Sequence, residues 1–238
     1  MSLAKLETSL GYRFERPELL ERAVTHRSWA HERLKGRPEA EIREAENESF
    51  EFIGDSVLGL AIAEALFAKN PDLAEGELTL MKHRLVSTAT LSQIAVGLAL
   101  GRYMRLGRGE EQSGGRTKPQ LLANVLEALI GAIFLDSGYV AARVFVTRVF
   151  TDELKNVTPK TSVDYKTMLQ EVLQAKKLPA PAYSLIRTEG QPHDRTFFVE
   201  ATWPSGRATG SGRSIKAAEM MAASEALKMI DDAKAETK

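Results

Sequence analysis

Around residue 159 the rule by which apolar residues repeat along the chain changes, and a chain of this kind folds as two domains of different class. From residue 6 to about 154, apolar residues recur at helical spacing, broken by glycine, proline and short polar turns, with little strand alternation. Small and polar residues around Pro159, in Asn156-Val157-Thr158-Pro159-Lys160-Thr161-Ser162, then interrupt the pattern as a linker does. Beyond them the pattern predicts an amphipathic helix over about 164–175 and strands over 182–188, 196–203 and 207–212. Turns fall at Gly190-Gln191-Pro192-His193 and Pro204-Ser205-Gly206, and Ser214 caps a second helix running to about 230. The predicted fold class is therefore multidomain. An all-α domain over 1–156 precedes a linker over 157–162, a small α+β domain of order α-β-β-β-α over 163–232, and a polar tail over 233–238.

At 238 residues the chain can hold two modest domains, each with its own core. Cysteine is absent, which excludes disulfides, thiolate nucleophiles and Cys-type zinc sites and suits a cytoplasmic protein. The amino-terminal stretch is charged, and the longest apolar runs, 57–63 and 128–135, fall far below membrane-spanning length, so no membrane partner is expected. Thirty-two basic and thirty-two acidic residues cancel, so net charge neither supports nor excludes a nucleic-acid partner. Distribution says more. Glu39, Glu41, Glu44, Glu46, Glu48, Glu51 and Asp55 face a single Arg43 over 39–55, and any polyanion approaching there needs cations in between.

Three of those acids carry the chemistry. Glu48, Glu51 and Asp55 stand at i, i+3 and i+7 in NESFEFIGDSVLGLAIAEALF, within one narrow arc of a helix that is apolar almost all round. Phe50, Ile53, Val57 and Leu60 cluster on another face, and Leu58 and Ile62 lie beside the acids. Like charges among apolar neighbours are costly, and the usual resolutions are proton uptake, pairing with Arg or Lys, or a bound divalent cation. On an ordinary surface helix the same spacing is a solvated face. A second pair, Asn124 and Glu127, lies in PQLLANVLEALIGAIFLDSG, sharing a face with the small residues Ala128 and Gly131, while Leu122, Leu126, Leu129 and Ile133 form the packing face. Pro119 suits the first turn of that helix and Gly138 lies beyond its end. Either the pair joins the acids of the first helix in a hard-cation site of the magnesium type, or it only caps or pairs locally.

NESFEFIGDSVL resembles the signature NERLEFLGDSVL of bacterial ribonuclease III. The blocks Thr25-His26-Arg27-Ser28, EGEL from Glu75, LGRGEEQSGG from Leu106 and ALIGAIFLD from Ala128 resemble that family in the same order. The α-β-β-β-α order, with DYKTMLQE from Asp164 and His193 in the first hairpin loop, resembles the family's double-stranded RNA-binding domain. The resemblance implies a divalent-metal-dependent endoribonuclease that cleaves double-stranded RNA to 5′-phosphate and 3′-hydroxyl ends, in ribosomal RNA precursor and other RNA processing. It implies Mg²⁺ as cofactor, with Mn²⁺ able to substitute, and no nucleotide cofactor. Glu51, Asn124 and Glu127 would ligate metal, Asp55 and Glu127 would be catalytic with Glu48 assisting, and Glu75 would fall where another family acid supports metal or RNA handling. The family usually has Asp where this chain has Asn124, which removes one negative charge but keeps a neutral oxygen. A variant that still cleaves is the preferred explanation; an engineered inactive form, or a catalytically impaired double-stranded RNA-binding protein, is the alternative.

The family resemblance also implies a homodimer, whose twofold axis would supply a second site for the second strand. Phe50, Phe52 and Ile53 are either that interface or ordinary core. A-form RNA is read by shape, through 2′-hydroxyls and phosphates. Gln170 and Glu171 on the first helix of the second domain, His193 in the loop, and Arg213, Ser214 and Lys216 at the second helix start fill the places this requires. Ile215 stands before Lys216 where the family usually shows paired lysines. Arg116 and Lys118, after Ser113-Gly114-Gly115, either reach phosphates or are solvated.

Overall fold

The computed structural model describes residues 3–162, 164–191 and 194–235, and its contacts divide the chain into two compact units, 1–162 and 163–238. The first unit is all-α among the described residues, with helices α1 (Leu3–Leu10), α2 (Pro17–Ala23), α3 (Arg27–Arg33), α4 (Glu39–Ala45), α5 (Glu48–Lys69), α6 (Glu75–Leu85) and α7 (Thr88–Gly97). They are followed by α8 (Arg108–Gln112), α9 (Pro119–Val149), α10 (Thr151–Asn156) and the single turn α11 (Pro159–Ser162). The stretch read as a linker, 157–162, thus holds a turn of helix within the first unit. Pro159 has no N–H to lose and can start that turn.

The centre of this unit is the crossing of α5 and α9. A Cβ at Gly54 would stand 1.8 Å from the Glu127 carbonyl oxygen, and one at Gly131 would stand 2.2 Å from the Phe50 carbonyl oxygen. Two glycines on facing helices therefore let the backbones approach more closely than side chains would allow. Around the crossing, Val125, Leu126, Leu129, Ile130 and Ile133 of α9 and Leu58 and Ile62 of α5 have no exposed surface. The predicted apolar face of α5 divides: Phe50 and Val57 are buried, Ile53 is half-buried, and Leu60 is exposed. By length and composition α9 is long and apolar enough to cross a membrane, unlike the short run 128–135 read from the sequence. Here it is the core helix instead, and it breaks at Gly138, whose φ of 77° is favourable only without a Cβ.

The second unit holds α12 (Tyr165–Ala175), strands β1 (Ala182–Glu189), β2 (Thr196–Trp203) and β3 (Gly206–Gly212), and α13 (Ile215–Ala235). The strands form an antiparallel sheet in the order β1-β2-β3, with a register shift in β1 between Leu185 and Arg187. Alternate residues Val199, Ala201 and Trp203 of β2 are buried, so one face of the sheet is covered. Leu169 and Leu173 of α12 pack with Trp203, Ala208, Ala223, Ala226 and Ile230. The α13 helix lies close on β3, because a Cβ at Gly210 would meet the Ala222 nitrogen at 2.1 Å. Ala218 and Ala222 present only methyl groups there. The predicted α-β-β-β-α order is the observed one, and α13 runs five residues beyond the predicted end, into the segment read as a polar tail.

Candidate active site

The start of α5 is held by contacts that no periodicity reveals. Asn47 Nδ2 donates to the Ala23 carbonyl at 3.1 Å, and the buried Glu46 accepts the Glu48 N–H at 2.9 Å. Arg22 donates from Nε to the Glu46 carbonyl at 2.9 Å and lies over the Phe50 ring at 4.4 Å. The α5 helix is therefore anchored against α2, and its i, i+3, i+7 acids share one face.

The glycine crossing brings α9 to that face. Glu48, Glu51, Asp55, Asn124 and Glu127 line one open cleft of about 550 Å³, together with His26, Asn47 and Phe52. All five residues singled out for the nuclease chemistry are thus brought together from two helices. His26 and Asn47 were missed as site residues: the first stood only in a motif block, and nothing in local spacing connects residue 26 to residue 55. Burial first, then the charges of Asp55 and Glu51, raise the Glu127 carboxyl up to about 7. Burial and then the Glu48 charge also raise Glu51, while a side-chain hydrogen bond from Asn124 partly offsets the rise. Glu48 pairs with Arg27 at 3.0 Å, both side chains being more than half exposed.

Asn124 Oδ1 accepts from Gln120 Nε2 at 2.7 Å, and its carboxamide lies near enough to Glu51 to favour that carboxylate. An aspartate would instead set a further negative charge beside two carboxyls already held above their usual range. Gln120, one turn before Asn124, was not singled out by the sequence, although i, i+4 amide pairs are ordinary helix neighbours. Among the described residues no three His, Asp or Glu side chains are gathered tightly enough to hold a metal by themselves. The chemistry of the donor set still fits a hard divalent cation: carboxylate and carboxamide oxygens, with repulsion among the acids that a dication relieves.

Other candidates lie elsewhere. Glu75 begins α6, 3.4 Å from the Thr79 hydroxyl, and does not line the cleft. Arg116 and Lys118 are part-exposed and engaged in ion pairs within their own loop. Arg116 makes two 2.6 Å bonds to the Glu111 carboxylate and donates to the Gly101 and Met104 carbonyls, and Lys118 pairs with Glu110 at 2.6 Å. Of the interface candidates, Phe50 is core at 4% exposure, whereas Phe52 is 76% exposed.

In the second unit Gln170 and Lys216 line one cleft of about 290 Å³ with Asp164, Lys166, Thr167 and Tyr183. Ser214 caps α13, accepting the Ala217 N–H at 3.1 Å. Arg213 is paired with Asp194. Glu171 is exposed on α12 outside that cleft, and His193 lies outside the described residues.

This two-part arrangement has counterparts. The model of the family described as Ribonuclease-III-like matches residues 16–154, and that of the double-stranded RNA binding motif matches residues 165–230. Ribonuclease 3 of Syntrophotalea carbinolica is 43% identical over 97% of this chain and 98% of its own, and that of Thiobacillus denitrificans is 44% identical over 94% of each. A crystal structure of the nuclease domain of ribonuclease III from Campylobacter jejuni shares 36% identity with a TM-score of 0.57, covering 66% of this chain and 98% of that one. A second structure of that domain is described as showing structural flexibility in a region involved in dimer formation, with a TM-score of 0.56 over 64% of this chain and 98% of that one. Similarity running along nearly the whole of both chains, through both domains in order, leaves one assignment: this chain belongs to the ribonuclease III family and is an endoribonuclease with a double-stranded RNA-binding domain.

Proposed function

We propose that the acidic cleft cuts double-stranded RNA by divalent-metal-dependent hydrolysis, leaving 5′-phosphate and 3′-hydroxyl ends. The observation that carries this reading is the meeting of Glu51, Asp55 and Glu127 in one cleft, with Glu127 held up to about 7 by burial and by the other two acids. Such a site repels a phosphodiester unless a cation intervenes. Glu51, Glu127 and the Asn124 oxygen would hold the cation, with Mg²⁺ as its natural occupant and Mn²⁺ as a substitute. When bound, it lowers the pKa of water and offsets charge on the phosphate and the leaving 3′ oxygen. Asp55 adds negative charge at the site, and Glu48, tied to Arg27, stands at its edge. Processing of ribosomal RNA precursors in the cytoplasm is the role we assign, with a membrane or a nucleotide cofactor required at no step.

A duplex has two strands and this chain has one such cleft among its described residues, so we assign a homodimer. Phe52, Leu60 and Phe67 of α5 and Val140 and Val144 of α9 are all exposed, and Glu64 links the two helices between them through Tyr139 at 2.7 Å and Arg143 at 2.9 Å. That apolar face suits a second copy.

The test is cleavage of a long RNA duplex with Mg²⁺, with and without chelator. Asn124→Asp is expected to keep cutting and to lower the Mg²⁺ concentration for half-maximal rate by roughly tenfold, because a ligand charge is restored. Binding without cutting, restored to cutting by Asn124→Asp, would instead mark a disabled site. For the second domain, Lys216→Ala should weaken duplex binding in a salt-dependent way, reducing the slope of log affinity against log salt by about one. An unchanged slope in filter-binding titrations would remove Lys216 from the interface.

A further inference from the structure

His26 contributes the one imidazole on the acidic cleft, and its neighbours decide which of its nitrogens can act there. It stands immediately before α3, where its Nδ1 accepts the Ser28 N–H at 3.2 Å and lies 2.8 Å from the Ser28 hydroxyl. A backbone N–H can only donate, so Nδ1 is the acceptor and a neutral ring carries its proton on Nε2. Two further bonds hold the ring's position. The Ser28 hydroxyl accepts the Gly107 N–H at 2.9 Å, and the His26 N–H donates to the Arg105 carbonyl at 3.0 Å. Burial acts first to lower the imidazole's pKa, which favours this neutral form.

Among the described residues no group accepts from His26 Nε2–H, which leaves that donor open to a ligand. With a dication held there, Glu48, Glu51, Asp55 and Glu127 would be ionised and would only accept hydrogen bonds. The Asn47 amide donates to the Ala23 carbonyl from a residue only 5% exposed, and the Asn124 Oδ1 is taken by Gln120. An RNA backbone offers acceptors. Resting on the reading of this cleft as the RNA-cutting site, we infer that His26 Nε2–H donates to a non-bridging phosphate oxygen of the strand lying in the cleft. It is a substrate-contacting residue separate from the acids that hold the cation. The competing role is structural, since Nδ1 also caps α3.

Two substitutions separate the roles. His26→Asn retains a short cap acceptor, among the best residues at that position, but cannot extend a donor to where Nε2 stands. His26→Gln carries an amide donor at about that reach and is a poor cap. Single-turnover cleavage of a long RNA duplex with Mg²⁺ and the melting temperature of the metal-free protein are measured for the full chain and both variants. His26→Asn is expected to melt with the parent chain yet to cleave slower by about a hundredfold or more, a loss in the range of one preorganised donor. His26→Gln is expected to melt lower yet to cleave faster than His26→Asn. Cleavage by His26→Asn within twofold of the parent chain, or rates that simply follow melting temperature, would overturn the inference. A parent chain that binds duplex but never cuts it would overturn the nuclease reading of the cleft, and this inference with it.

Discussion

Glu127→Gln cuts duplex RNA at less than about one hundredth of the parent rate while making the metal-free protein more stable at neutral and higher pH. Both effects come from the same crowding. The Glu127 carboxyl is raised from its ordinary 4.5 to about 7 by burial first, then by the charges of Asp55 and Glu51. In the unfolded chain the proton leaves near 4.5, whereas the fold holds it to about 7. Between those values the folded state binds more protons, so its stability falls as pH rises, and above about 7 that contribution is gone. Glutamine keeps the neutral shape at every pH. The difference in melting temperature should therefore be small at pH 5, grow through pH 7 and then level off. Thermal unfolding in chelator across pH 5 to 8, beside a cleavage assay in Mg²⁺, reads both. Parallel melting curves at every pH would contradict the electrostatic account, and full cleavage would remove Glu127 from the site.

Gly54→Ala is expected to cost more than about 3 kcal/mol, because overpacking here meets backbone rather than a yielding side chain. The new Cβ would stand 1.8 Å from the Glu127 carbonyl oxygen and 2.6 Å from its carbon, so the helices themselves must separate. Separation also draws Glu127 away from Glu51 and Asp55, and cleavage falls with stability. Gly59 on the same helix is the control. A Cβ there meets only the Lys82 side chain at 3.6 Å, and Gly59→Ala should be neutral or stabilising by up to about 1 kcal/mol through helix propensity. Urea denaturation of the two variants gives the comparison, and equal stability would mean that the crossing does not depend on the absent side chain.

Gly54 and its counterpart Gly131 show where the sequence stops being readable. The acids on α5 and the Asn124/Glu127 pair on α9 were legible because helical periodicity is local: three to seven residues suffice to place side chains on one face. That the two faces meet is a matter of which helices cross and how closely, and it depends on residues 54 and 131, separated by nearly half of a domain. Similar limits hold for the cations. Arg116 and Lys118 looked available for phosphate, yet Glu111 and Glu110, a short turn away, take them up. Phe50 and Phe52 are indistinguishable by composition, and two positions along α5 turn one into core and the other into exposed surface.

Local pattern, or similarity taken position by position, was enough for the two-domain division, the α-β-β-β-α order of the second domain, the acidic face of α5 and the family. That His26 joins the acids and that burial raises Glu127 to about 7 came only with the packed fold. Those depend on contacts between segments far apart in the chain, and burial and charge coupling exist only once such segments are packed together.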